Sequence, residues 1–315
     1  MRAIPLFALL LGGWCAIPVH ANEAQDWLNR LSQAEQQQSF QGTFVYERNG
    51  SFSTHNIWHR VQDGKVRERL LQLDGSAQEV LRIDGHTQCV SGSLIVGLGN
   101  TPDGTSRTLD PQKLKNWYDL AVIGKSRVAG RQAVIVALTP KDQHRYGFEL
   151  HLDKETGLPL KSLLLNDKGQ LLERFQFTRL NVAAPTDGDL QASAECKAVA
   201  QDPGKAVAVK NAWHSDWLPP GFELTGSAVR KDPDTQVQVN SLMYDDGLAR
   251  FSVFLEPLNG ASATDTRTQL GPTAAVSRRL TTPQGEMMVT VVGEIPIGTA
   301  ERIALSMRAD VTATQ

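Results

Sequence analysis

Cysteine is scarce in this chain: three occur in 315 residues, at positions 15, 89 and 196. That excludes a small scaffold held together by disulfides. Charge of neither sign dominates: 32 Lys and Arg stand against 34 Asp and Glu, for a formal net charge of −2. Without a basic block, nucleic acid is disfavoured as a partner. After the first twenty-one residues no segment approaches the ~20 continuous apolar residues of a membrane helix, so the remainder is expected not to span a membrane. Neither Gly-x-Ser-x-Gly nor His-Glu-x-x-His occurs, which removes two common hydrolase signatures.

What is present starts with a leader. Arg2 supplies a positive start, Leu6-Phe7-Ala8-Leu9-Leu10-Leu11 an apolar stretch, and Val19-His20-Ala21 a cleavage site with small residues at −3 and −1. Residues 1–21 therefore read as a secretory signal peptide, and the chain as an exported, periplasmic protein. A lipoprotein cut at Cys15 is the competing reading, but bulky Trp14 occupies a position that needs a small residue. Removal of the leader leaves about 290 residues, enough for two domains. Cys89 and Cys196 are then the remaining cysteines, and in an oxidising compartment they are expected to pair. Closing so long a loop contributes roughly 4–5 kcal/mol in the chain-entropy model.

The mature chain opens with a helix, since Ala24, Trp27, Leu28, Leu31 and Ala34 recur at helical spacing. The period then changes to two. Phe44 and Tyr46 alternate with Thr43, Val45 and Glu47 before Asn49-Gly50, a type I′ hairpin signal. Further strands are predicted over 52–61, 66–73, 79–83, 120–128, 133–138, 146–152, 159–165 and 171–182, with a short helix after Asp110-Pro111. These form a large antiparallel sheet that must curl around the first helix, giving a large domain over residues 22–184. Residues 185–212, rich in Ala, Asp, Gln, Gly and Lys without a period, read as a linker. A smaller α+β domain follows over 213–310, with strands near 237–244, 248–256, 274–281 and 286–294 and a helix near 299–308. The fold class is mainly β (α+β).

Several fragments imitate chemistry. Gly124-Lys125-Ser126 resembles the end of a phosphate loop, but Asp119 stands where that loop needs glycine, and Gly97-Leu98-Gly99 lacks its third glycine at Pro102. His55 and His59 lie on a predicted strand, where four residues span roughly 13 Å, too far for one metal ion. They read as histidines on a partly wet sheet face. No metal site, cofactor or catalytic cluster is expected.

The first hairpin carries a further clue. With Asn49-Gly50 at the turn, Tyr46 lies opposite Ser53, Phe44 opposite His55 and Phe40 opposite His59. Phe44, Tyr46 and Ile57 then share one face, as a candidate lipid or partner groove, and Val45, Phe52 and Trp58 share the other. A sheet apolar on both faces needs cover on both. The helix supplies one; lipid, a partner peptide or the second domain are the candidates for the other, and an ordinary core with a few exposed aromatics is the competing reading.

Ordered stretches along the chain resemble the MucB/RseB family. In the large domain they are Leu70-Leu71-Gln72-Leu73-Asp74-Gly75, Trp117-Tyr118-Asp119-Leu120, Ser126-Arg127-Val128-Ala129-Gly130-Arg131, His144-Arg145-Tyr146-Gly147-Phe148 and Leu152 to Pro159. In the small domain they are Trp217-Leu218-Pro219-Pro220-Gly221-Phe222, Tyr244-Asp245-Asp246-Gly247-Leu248, Thr290 to Glu294 and Ala300 to Ala304. The resemblance implies a half-barrel like that of periplasmic lipoprotein carriers, wrapped around helices, plus a compact second domain. It implies a periplasmic regulator without catalytic activity, whose partner is the periplasmic domain of a MucA/RseA-like transmembrane anti-sigma factor. Such a protein shields its partner from proteolysis and lets go when an envelope-stress lipid binds, either lipopolysaccharide or a lipid A-type amphiphile. It thereby restrains an extracytoplasmic sigma factor and alginate synthesis. A lipid or lipoprotein carrier is the alternative, although a carrier has no need of residues 213–310. Whether the chain forms a homo-oligomer is left open.

Overall fold

The computed structural model describes residues 19–76, 78–91, 109–199, 212–231, 237–282 and 285–310. The expected leader lies almost wholly outside these residues, as does Gly97-Leu98-Gly99. Helix α1 (Val19–Gln37) begins just before the expected cleavage site. Among the described residues no helix is long and apolar enough to cross a membrane.

Strands β1 (Phe40–Arg48) and β2 (Ser51–Gln62) form the first hairpin. Asn49 and Gly50 both take positive φ, 52° and 73°, the requirement of a type I′ turn. This two-residue turn fixes the register: Tyr46 pairs with Ser53, Phe44 with His55 and Phe40 with His59, as the alternation dictates. The sheet grows outward from this hairpin. On one side come β3 (Lys65–Gln72), β4 (Glu79–Ile83) and β5 (His86–Ser91). The short helix α2 (Pro111–Leu114) follows, capped by the Asp110 carboxylate, which accepts from the N–H groups of Gln112 and Lys113. On the other side lie β6 (Tyr118–Val128), β7 (Arg131–Pro140), β8 (Gly147–Asp153), β9 (Pro159–Leu165) and β10 (Leu171–Asn181). Strand β10 returns to pair with β1, and β11 (Lys197–Ala198) pairs with β5. The result is an open eleven-stranded antiparallel sheet in the order β11-β5-β4-β3-β2-β1-β10-β9-β8-β7-β6.

This sheet curls around α1. Ala24, Leu28 and Leu31 pack with Leu114, Tyr118, Val136, Leu138 and Leu152 from the β6–β8 end. Ala34, near the other end of the same helix, packs with Phe40, Phe44, Leu70, Val80 and Phe177. One helix thus meets both the β6–β8 end and the middle strands of one sheet, as a curled sheet allows.

The small domain holds β12 (Trp213–Ser215), β13 (Glu223–Lys231), β14 (Gln238–Asp245), β15 (Arg250–Pro257), β16 (Thr266–Leu270), β17 (Thr273–Thr282), β18 (Gly285–Gly293), α3 (Ile297–Ser306) and β19 (Met307–Ala309). Six of the strands form a sheet in the order β13-β14-β15-β18-β17-β16, and β12 pairs separately with β19. Ala300, Ile303 and Ala304 on α3 pack with Val253, Leu255, Val276, Val289 and Val291 to make the core.

Two expectations need correction. Residues 185–199, expected as linker, are strapped across the large sheet. Arg60 donates to the Pro185 carbonyl and to Asp187, and Arg69 donates to the Asp189 carbonyl. Leu190 is fully buried. Buried Glu79 takes an ion pair from Arg69 and hydrogen bonds from the Ser193 N–H and hydroxyl. The strap lies on the Trp58 face, where the Arg69 guanidinium stacks 4.9 Å from the indole. The second cover of the hairpin is therefore in part the chain itself. His55 and His59, expected on a partly wet face, are buried and stack on Phe44 and Phe40 at centroid distances of 5.0 and 4.8 Å. Alternation within β2 puts both on the helix-covered side, where burial lowers the His55 pKa.

Candidate functional site: the seam between the domains

The residues proposed as a groove fall into two groups. Phe44 is 1% exposed, enclosed by Phe175, Phe177 and His55, and is a core residue. Tyr46, Ile57 and Phe175 are half-buried and border that core. The Tyr46 hydroxyl does not face solvent freely, because it donates to Glu173 at 2.6 Å. Cys89 and Cys196 are joined in a disulfide, with Cα atoms 5.4 Å apart. The bridge fastens the far end of the strap to β5.

One arrangement on the sheet looks catalytic. Ser126 Oγ lies 2.7 Å from His151 Nδ1, and His151 Nε2 lies 2.8 Å from Glu149. Ser126 sits on an extended strand, however, and an acyl-transfer nucleophile needs N–H donors converging on one nearby point. Burial lowers the His151 pKa, and the trio serves to satisfy a buried ring. Among the described residues no group of His, Cys, Asp or Glu could hold a metal ion.

The densest polar chemistry lies where the two domains meet. Its centre is the ion pair Arg145–Asp246, at 2.5 Å with both side chains fully buried. Arg145 comes from the β7–β8 loop of the large domain, and Asp246 from the β14–β15 turn of the small one. Asp246 also accepts from the N–H groups of Leu248 and Ala249, at 2.8 and 2.7 Å, and from the Tyr118 hydroxyl at 3.3 Å. Arg145 donates further to the Pro220 carbonyl and to Asp142. Burial pushes the Asp246 pKa up, and the two N–H donors, Arg145 and Tyr118 oppose it. A buried pair tolerates desolvation only when its remaining donors and acceptors are satisfied, and here most are.

Around that knot the domains interlock. Gly221 has φ +88°, and a Cβ there would fall 2.2 Å from the Trp117 ring. Only glycine leaves room for the indole against the Pro219–Phe222 loop. Leu248 inserts beside the large-domain core. Farther along, His144 bonds Thr299 at 3.1 Å and meets the edge of Trp217, which Arg302 covers from 3.8 Å. The Tyr146 hydroxyl donates to the Ile295 carbonyl and receives Gln269. At the outer end, hairpin tip meets hairpin tip around a cleft of about 220 Å³, lined by Glu47, Asn49, Gly50, Leu171, Leu172, Gln269 and Gly271. Large apolar side chains stand exposed nearby in sequence, Phe52 at 63% and Leu270 at 60%.

Sequence reasoning did not single out this seam as a site. The signal was nevertheless present: Trp117-Tyr118, His144-Arg145-Tyr146, Pro219-Pro220-Gly221-Phe222, Asp245-Asp246-Gly247-Leu248 and Glu294 are all stretches that carried the family resemblance. Their chemistry becomes visible only when two sequence-distant loops are brought together.

Comparison with known proteins agrees with that resemblance. Residues 23–199 match the MucB/RseB N-terminal domain and residues 207–308 the MucB/RseB C-terminal domain. The sigma factor AlgU regulatory protein MucB of Pseudomonas aeruginosa is 63% identical over 317 residues, covering 99% of each chain. The sigma-E factor regulatory protein RseB of Escherichia coli is 27% identical, covering 89% of each. Among solved structures, the complex of Pseudomonas aeruginosa MucA and MucB aligns at 62% identity with a TM-score of 0.82, over 92% of this chain and 100% of that one. A structure of MucB alone aligns at 61% identity over 92% of this chain and 98% of that one, with a TM-score of 0.68. With both domains matched and the two-domain architecture shared, the chain belongs to the MucB/RseB family.

Proposed function

We propose that this protein is a non-catalytic regulator in the periplasm. It binds the periplasmic region of a membrane-anchored anti-sigma factor, guards it from proteolysis, and so restrains an extracytoplasmic sigma factor and alginate synthesis. The observation that carries this reading is the likeness over both domains to a relative solved together with MucA, at 62% identity. At nearly equal identity, the chain aligns better with the relative solved together with MucA (0.82) than with the relative solved alone (0.68). Both domains are covered in the first alignment, so the whole two-domain arrangement is what this chain has in common with the relative solved together with MucA.

Release fits the same geometry. A lipid A-type amphiphile has its natural landing place on the half-buried apolar rim formed by Tyr46, Ile57 and Phe175. If lipid prefers an arrangement that grips the partner poorly, each ligand weakens the other by the same factor. Calorimetry of the mature protein with a MucA-like periplasmic fragment, with and without lipid A, tests both parts. Expected are saturable binding and a roughly 5- to 150-fold loss of affinity with lipid. Ile57→Lys should blunt the lipid response and spare partner binding. No binding of the fragment would overturn the regulator reading, whereas equal affinity at saturating lipid would overturn only the release step.

A further inference from the structure

The cleft at the outer end of the seam has walls from both domains. The β1–β2 hairpin contributes Glu47 and the start of β10 contributes Leu171 and Leu172, while Gln269 and Gly271 come from the β16–β17 hairpin. The hairpin tips touch, since a Cβ on Gly271 would stand 3.1 Å from Arg48 Cγ and 3.6 Å from the Asn49 nitrogen. At about 220 Å³ the cleft falls short of the roughly 300–1,000 Å³ that a drug-sized ligand needs. It has room for one long side chain and not for a lipid. Register places Glu47 between Phe52 of β2 and Arg174 of β10. The Glu47 carboxylate is 18% exposed and its ion pair with Arg174 is loose, at 3.5 Å from a guanidinium nitrogen that makes no hydrogen bond. Acceptor capacity is therefore left over on Glu47. Gln269 spends its amide N–H groups on the Tyr146 hydroxyl and the Gly271 carbonyl. Its own side-chain carbonyl receives no hydrogen bond among the described residues. Beside the two acceptors stand exposed apolar side chains, Phe52 next to Glu47 and Leu270 between Gln269 and Gly271.

We propose that this cleft is the docking site for a lysine or arginine side chain of the protein partner, presented among apolar residues that cover Phe52 and Leu270. The partner's identity rests on the regulatory reading above: the occupant belongs to the periplasmic segment of the anti-sigma factor. The chemistry of the walls selects it. Two leucines suit an aliphatic stem, and a carboxylate with a carbonyl opposite suits a cationic end that carries only donors. A charge-assisted hydrogen bond to Glu47 in a half-dry cleft is stronger than the same pair in open water. An acidic side chain is repelled there, and a neutral one gains little from the carboxylate, so the cleft selects as well as binds. The apolar rim adds area around the charged contact and keeps water from it. Because the walls come from both domains, a single seated side chain touches both.

Calorimetry of the intact mature protein with a MucA-like periplasmic fragment tests the cleft. Glu47→Lys should weaken binding by on the order of tenfold. Changing one basic residue of the fragment to glutamate should restore affinity for Glu47→Lys, while the same altered fragment binds the native protein poorly. Phe52→Ser and Leu270→Ser should each cost about threefold. Rescue by the altered fragment, together with an unchanged unfolding temperature, separates loss of the contact from loss of the fold. Equal affinity of the fragment for Glu47→Lys and the native protein would overturn the cleft and leave the regulator reading standing, as would a loss that no single reversal rescues. A second probe needs no partner: the blocked tripeptide Leu-Arg-Leu, titrated to millimolar concentration. It should shift the Gln269 side-chain amide resonances of the native protein, but not those of Glu47→Lys, and Leu-Gln-Leu should shift neither. Gln269 resonances that Leu-Arg-Leu leaves unmoved would overturn the proposal even if the fragment failed to bind at all.

Discussion

The two ends of the seam differ in how deeply they bury charge. At the inner end, Asp246 is fully buried, ringed by two N–H groups, a hydroxyl and the Arg145 guanidinium, which Asp142 also shares. At the outer end, Arg48 is shared by two carboxylates that remain partly wet. The first kind of contact is intolerant of change, because losing either partner strands the other in a low-dielectric setting. The second is more forgiving, because water can solvate a group that loses its partner. One end is buried beyond the reach of water, and the other is not.

The sharpest way to break this comparison is Arg145→Ala. It leaves Asp246 buried without its cation and should cost about 3–5 kcal/mol in urea unfolding, or split the transition into two as the domains part. A loss below ~1 kcal/mol would mean the inner end is not the anchor. Gly221→Ala comes next. The added methyl meets Trp117 and the residue must hold φ +88°, so a loss of about 1–3 kcal/mol is expected, with a change in the Trp117 fluorescence environment. The smallest effect belongs to Lys113→Ala. Lys113 pairs with Glu223 across the same seam at 2.8 Å, close to the Arg145–Asp246 distance, but its side chain is 40% exposed. Loss within about 0.5 kcal/mol of the native protein is expected. If Lys113→Ala and Arg145→Ala proved comparable, burial would not be what separates these contacts.

The hairpin around Asn49-Gly50 was legible because a two-residue turn and strict alternation fix register locally, and both pointed the same way. The first helix and the Asp110 cap were legible for the same reason. Strand β16 was not: all five of its residues are exposed, so no alternation marks it, and it exists because β17 offers it a ladder. The strap over 185–199 has no periodic pattern because it is held by side chains from elsewhere, Arg60, Arg69 and Glu79, each reaching more than a hundred residues along the chain. The seam failed for a related reason. Arg145 and Asp246 read as ordinary polar loop residues until the fold buries them together, and nothing in either loop announces that the other will neutralise it.

The Cys89–Cys196 bridge acquires a meaning beyond cross-linking once the strap is seen to end there. It sets the length of the leash. With Val199 still bonded to the Gln88 carbonyl and Trp213 already paired in the small domain, about a dozen residues remain between the two anchorages. Such a stretch reaches at most ~45 Å when fully drawn out. An undocked small domain therefore stays within about one domain diameter of its berth. Were the bridge opened and the strap peeled back to residue 185, that radius would roughly double. The disulfide thus joins Arg60, Arg69 and Glu79 in limiting how far a small domain could travel, although it lies well away from the surfaces that would part.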